Sequence, residues 1–261
     1  NLLDNYKVTL LHLELESTLN LKVNIMINNR WIAAQKYEKD WWDIRKKQID
    51  FGFYRFYAEE LIKSIHGIID ISANTSLLEI GSGAGGIVTY LNSDKRHAID
   101  PLEEYYSSVP EFQKQRDQKV KYQTGKAENI PFDKKRFDFI ICDNVLDHCD
   151  DIDKVFSEMR RVLRDHGKLW LRLNIYTFWG RLIRLLVEKL KIDPGHPHTF
   201  TRKSIKAYFK NYEFEIIKFK EDGFFKTWLK EIASGKIKEL LKAITFSTPN
   251  KSVFILGKSK V

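Results

Sequence analysis

The run Ser76-Leu77-Leu78-Glu79-Ile80-Gly81-Ser82-Gly83-Ala84-Gly85-Gly86 restricts the fold more than any other part of the chain. Its first five residues are short and mostly aliphatic, the mark of a strand buried on both faces. The four glycines that follow let the backbone turn tightly and approach a ligand without Cβ atoms in the way. A parallel strand that ends so leads into a helix, expected here over Ala84 to Leu91, whose first N–H groups face the ligand. The alternation then repeats. Strands are expected at Arg96 to Ile99, Val120 to Gln123, Phe137 to Cys142 and Lys168 to Leu173, with helices at Glu103 to Arg116 and Ile152 to Leu163. Two further strands, Phe214 to Phe219 and Ser252 to Leu256, complete the set. The pattern predicts an α/β fold with a doubly wound, mostly parallel seven-stranded sheet and helical cap insertions.

One domain over residues 26–261 is expected. Helices over 30–70 precede a core at 76–173, and cap elements are placed at 178–198 and 225–244. Residues 1–25 read as an appendage, because the chain begins with Asn1 and its first methionine is Met26. The formal charge of +9 favours an anionic partner, yet Lys and Arg are dispersed and no RNA-binding signature is visible, so nucleic acid is not expected. Cys142 and Cys149, in a buried strand and its exit loop, suit a reducing compartment such as the cytoplasm. No apolar run reaches the roughly 18 residues that span a bilayer.

Gly81, Gly83 and Gly86 satisfy G-x-G-x-x-G, and Asp100 follows at the distance of a ribose-binding acid. On the glycines alone, an NAD(P)-binding oxidoreductase and a cofactor-binding module without catalysis both stand beside other readings.

The residues around the glycines narrow this. Leu77 to Gly85, then Ala98-Ile99-Asp100-Pro101, Ala127-Glu128-Asn129-Ile130-Pro131-Phe132, Arg136 to Ile140, Asn144-Val145-Leu146-Asp147-His148, and Glu158 to Leu163 with Gly167-Lys168-Leu169 stand in one order. Together they resemble class I S-adenosylmethionine-dependent methyltransferases of the small-molecule branch, which includes ubiquinone-type and sugar methyltransferases. The resemblance covers Ser76 to Leu173. It implies S-adenosyl-L-methionine as cofactor, with Gly81, Ser82 and Gly83 at its amino-acid end and Glu79 tying the glycine loop to its amine. It also implies Asp100 and Pro101 at the ribose, Ala127 and Glu128 at the adenine, and Asp143 and Asn144 near the amine. Lys126 departs from the pattern, since many relatives carry an aspartate there that contacts the adenine amino group. An ammonium cannot accept that hydrogen bond, which leaves adenine recognition to Glu128 or to backbone near Ala127. Asp165-His166 replaces a usual Pro-Gly in a distal turn.

Methyl transfer to a hydroxyl needs in-line alignment and a route for the proton. His148 and His198 are the candidate bases, and no metal site is expected. The acceptor is expected to be a small molecule, methylated on oxygen: a sugar, a secondary metabolite or a lipid-linked acceptor. Trp31, Tyr37, Trp41 and Trp42 are expected to form an aromatic lid. The basic amphipathic helix 178–191 reads first as a cap over the pocket and second as a peripheral membrane contact.

Overall fold

The computed structural model describes residues 31–189 and 198–259. The appendage 1–25, Met26 and most of the expected loop 193–198 lie outside the described residues. Helix α1 covers 31–45 and α2 Gly52–Ile65. They are followed by β1 (Ser76–Ile80), β2 (Lys95–Asp100), α3 (Glu103–Ser107), α4 (Pro110–Gln113) and β3 (Lys121–Thr124). Next come β4 (Phe137–Asp143), α5 (Ile152–Val162), β5 (Leu163–Tyr176), α6 (Phe178–Lys189) and β6 (Phe200–Thr201). The chain continues with α7 (Arg202–Asn211), β7 (Phe214–Glu221), α8 (Phe224–Ala233), α9 (Ile237–Ile244) and β8 (Asn250–Lys258).

The sheet runs β3-β2-β1-β4-β5-β8-β7. The first five strands are parallel, and β8 lies antiparallel to both β5 and β7. All seven expected strands are present, and the two-residue β6 joins as an eighth beside Ile175 and Tyr176. Because successive strand residues face opposite sides, β1 and β4 feed two cores. Leu78 and Ile140 pack with the α5 residues Val155, Phe156 and Met159 on one face, while Leu77, Phe139 and Ile141 pack with the α2 residues Ala58 and Leu61 on the other.

The local signals fail at three places, each for an identifiable reason. The helix expected over Ala84 to Leu91 contracts to a single 3-10 turn, Ile87–Tyr90. Gly86 has φ +77°, outside the helical region, and the Glu79 carboxylate takes the N–H groups of Ile87 and Val88 that would start a helix. The helix expected over Glu103 to Arg116 breaks at Val109, which precedes Pro110 and is extended at φ −98° and ψ 109°. Strand β5 extends well beyond Lys168 to Leu173, because Leu163 pairs with Phe137 of β4 at its start while β8 and β6 pair with it as far as Ile175 and Tyr176. At α5 an aspartate caps the helix: the Asp151 side chain accepts the N–H of Lys154 at 3.1 Å.

Candidate functional site

Parallel strands place their C-terminal ends on one edge of the sheet, and on that edge β1, β2 and β4 deliver Glu79, Asp100 and Asp143 within a few residues of one another in register. A cavity of about 420 Å³ lies there, within the size range of small-molecule sites. Glu79, Gly81, Ser82 and Gly83 form its floor, Asp100 and Pro101 one side, Ala127 and Glu128 another, and Asp143, Asn144 and His148 the exit of β4. All eleven were singled out in the sequence.

The glycine turn is held from four directions. Gly81 has φ +68°, and a Cβ there would collide with Val145. Asp100 Oδ2 accepts the N–H of Gly83 at 2.9 Å while Oδ1 accepts that of Leu102 at 2.9 Å. The Tyr54 hydroxyl donates to the Ser82 carbonyl at 3.0 Å, and Arg116 Nε donates to that of Ala84 at 2.5 Å. Arg116 is itself buried and paired with Glu103 at 2.7 and 2.8 Å. Neither Arg116 nor Glu103 carried a signal in the sequence, since their pairing joins α3 to the segment before β3.

Burial sets the electrostatics. It pushes Glu79 up to about 8 against the lowering effect of the Val88 and Ile87 N–H groups, with Asp143 and Asp100 adding to the rise. It pushes Asp100 up to about 6 against its two backbone donors, with Glu38 and Glu103 adding to the rise. Asp143 is held by a bidentate pair with Arg172 at 2.5 and 2.6 Å, and the guanidinium lies 3.6 Å from the ring centroid of Tyr57. Arg172 also lines the cavity. It was missed in the sequence, where it reads as one more basic residue on a strand.

Asn144 takes a left-handed conformation, φ +56°, with its N–H donating to the Arg172 carbonyl at 2.8 Å. Glu128 Oε1 accepts the N–H of Asp150 at 2.6 Å, which ties the cavity wall to the loop before α5. Lys126 is not among the lining residues. Its ammonium sits 3.5 Å from the ring centroid of Trp31, and Trp31 does line the cavity.

The aromatic wall is larger than the sequence indicated. Trp31, Tyr37, Trp41 and Trp42 all face the cavity, joined by Phe53, Tyr54 and Tyr57 from the segment leading through α2. Trp42 is buried as well and packs edge-on to Tyr106 and Phe112, so it serves core and cavity together. The other expected cap segments contribute nothing here: among the described residues, neither 178–189 nor 225–244 lines the cavity.

The two candidate bases part company. His148 lines the cavity from a 3-10 turn, Leu146–His148, with Nε2 3.9 Å from Asp147 Oδ1. His198 does not line it; its N–H donates to the Asp147 carbonyl at 3.4 Å and its ring lies beside Phe200. Among the described residues no cluster of three or more His, Cys, Asp or Glu is arranged to hold a metal. Cys142 and Cys149 are both buried and free, and no described helix is long and apolar enough to cross a membrane.

Residues 78–171 match the family model described as a methyltransferase domain. The chain is 24% identical over 233 residues to the ubiquinone/menaquinone biosynthesis C-methyltransferase UbiE of Rickettsia massiliae, covering 82% of this chain and 88% of that protein. Among solved structures, the YcgJ protein of Bacillus subtilis superposes with a TM-score of 0.56 at 20% identity over 79% of this chain and 99% of its own. Geranyl diphosphate C-methyltransferase of Streptomyces coelicolor, solved with S-adenosyl-L-homocysteine, superposes with a TM-score of 0.60 at 13% identity, over 78% and 79%. The antiparallel β8 between β5 and β7 also departs from the all-parallel order 3-2-1-4-5-6 of dinucleotide-binding sheets. Motif order, strand order and the family match agree: residues 78–171 carry a methyltransferase domain, and the sheet around them has the fold of S-adenosylmethionine-dependent methyltransferases.

Proposed function

We propose that this cavity holds S-adenosyl-L-methionine beside a small-molecule acceptor, with His148 as the base that takes the acceptor's proton. The observation that carries the reading is the charge of the lining. Glu38, Glu79, Asp100, Glu128 and Asp143 face one guanidinium, Arg172, which Asp143 already engages. On a chain of net charge +9, an acidic and aromatic cavity suits a ligand that is itself cationic. When bound, the cofactor supplies a methyl group on a positively charged sulfur. Asp100 has lone pairs left on both oxygens for a vicinal diol. The backbone of Ser82 and Gly83 offers donors to a carboxylate, and Glu128 and the Ala127 backbone remain for the adenine edge. His148 would hold the acceptor hydroxyl and take its proton, while the cofactor would supply the methyl group and leave as the neutral thioether once its carbon–sulfur bond breaks.

The first reading of the acceptor is a hydroxyl on a sugar, secondary metabolite or lipid-linked compound. A second reading, methylation on carbon, is favoured by the names of the Rickettsia and Streptomyces relatives. For an enol or phenol both begin with the same proton removal, which raises electron density on oxygen and ring carbon alike. Calorimetry with S-adenosylhomocysteine and with NAD tests the cofactor: binding of the first alone is expected, and binding of NAD alone would overturn the site. Turnover of a panel of phenols and sugars with 13C-methyl cofactor tests the acceptor, because the carbon shift separates O-methyl from C-methyl products. No transfer to any hydroxylated compound would leave only a binding module.

A further inference from the structure

Helices α6, α8 and α9 turn most of their large apolar side chains outward. Helix α5 behaves as a surface helix should, burying Ile152, Val155, Phe156, Met159 and Val162. By contrast α6 buries Gly180 and Arg184 and turns Phe178, Trp179, Leu182, Leu185 and Leu186 to solvent, with Phe178 76% exposed. Helix α8 buries Glu231, whose carboxylate accepts the Thr248 hydroxyl, and exposes Phe225, Leu229 and Ile232. Helix α9 exposes Ile237, Leu240, Leu241 and Ile244, the i, i+3, i+4, i+7 stripe that ordinarily faces a core, and Ile237 is 78% exposed.

The three helices meet. Trp179 Nε1 donates to the Thr245 carbonyl at 3.1 Å, Trp228 Nε1 donates to that of Ala243 at 2.9 Å, and Phe224 and Trp228 each stack on Phe246. They also leave the sheet at the same edge as the cavity. Helix α6 follows the C-terminal end of β5, β8 begins opposite Ile175, and β7 ends opposite Ser252 near that start.

We propose that this three-helix lobe is a docking face for a membrane surface carrying anionic lipid. The exposed charges around the apolar stripes are cationic: Arg181, Lys226, Lys230 and Lys236 face solvent. Among the described side chains of the three helices the acids are withdrawn, Glu231 by burial and Glu239 by pairing with Lys242 at 3.2 Å. Apolar and aromatic side chains rimmed by cations, on helices of 12, 10 and 8 residues, match a helix surface that lies in the headgroup region and are far too short to span it. A second copy of the chain fits less well, because a two-fold interface would bring one cationic rim against another. The proposal goes beyond the methyl-transfer reading and does not depend on it.

The full chain sedimented with vesicles of phosphatidylglycerol in phosphatidylcholine tests the proposal. Binding is expected at low salt, falling steeply as salt rises, with little binding to phosphatidylcholine alone. The variant Phe178→Ser, Phe225→Ser, Ile237→Ser should partition on the order of tenfold more weakly or worse, with melting temperature and S-adenosylhomocysteine affinity unchanged, since none of the three lines the cavity. Lys226→Glu with Lys230→Glu, at exposed positions, should weaken binding to the anionic vesicles alone. Absent binding at low salt, or equal binding to both vesicle types, overturns the proposal. So does a dimer by analytical ultracentrifugation that the serine variant dissolves while vesicles leave the wild type in solution.

Discussion

Asp100, at the end of β2, accepts the backbone N–H of Gly83 in the turn after β1 at 2.9 Å, so one carboxylate fixes the glycine turn and lines the cavity. Burial pushes that carboxyl up to about 6 from its ordinary 3.8. A raised acid stabilises the fold fully below its unfolded pKa, and that contribution is lost as pH rises through the folded one. Relative to Asp100→Asn, the wild type should therefore lose melting temperature between about pH 4 and 6.

Cofactor affinity should move the other way, rising through pH 6 as Asp100 ionises and becomes an acceptor on both oxygens. Asp100→Asn should bind S-adenosylhomocysteine about tenfold more weakly, near 1.4 kcal/mol, and flatten the pH dependence. Calorimetry at pH 5, 6 and 8 measures both, and an affinity independent of pH in the wild type would remove Asp100 from the binding surface.

The Arg172–Asp143 pair, largely shielded from solvent, should show the asymmetry known for buried ion pairs. Arg172→Leu strands the Asp143 carboxylate and should cost about 3–5 kcal/mol of stability, whereas Arg172→Leu with Asp143→Leu should cost much less. Urea unfolding of the two single variants and the double closes the cycle. Additive losses would mean that the two side chains are energetically independent despite their contact.

Lys126 should act through Trp31. Replacing it with methionine keeps the stem and removes the charge, forfeiting a cation–π contact of about 0.5–1 kcal/mol. If the aromatic wall contributes to the bound state, S-adenosylhomocysteine affinity should fall about two- to fivefold. Lys126→Asp should be no better than Lys126→Met. A gain in affinity for the aspartate variant would show instead that an acid at this position reaches the ligand.

His148→Ala should lower turnover by about a hundredfold or more with cofactor affinity unchanged. His198→Ala is the contrast, because His198 lies away from the cavity lining, and its turnover should stay within about twofold of wild type. Equal losses in both would move the base elsewhere.

Sequence alone determined the sheet and most of the cavity. Buried parallel strands are short apolar runs, tight turns need glycine, and a cofactor site at the ends of adjacent strands draws on residues at fixed distances from those runs. Gly81 and Asp100 were legible for that reason, while Glu79, Glu128 and Asn144 were legible through the resemblance of their motifs to those of methyltransferases. Tertiary structure decided what depends on residues far apart in the chain. The Arg172–Asp143 and Arg116–Glu103 pairs join separate elements, and the ammonium that replaces the family's acid at Lys126 finds its use only where α1 brings Trp31 above it. The helix after the glycine turn was lost because Glu79, eight residues before Ile87, took its first N–H groups. Nor could periodicity tell which way an apolar stripe points. The i, i+3, i+4, i+7 pattern is identical for a helix that covers a core and for one that offers its leucines to solvent, and only the buried Arg184 and Glu231 show that α6 and α8 are of the second kind.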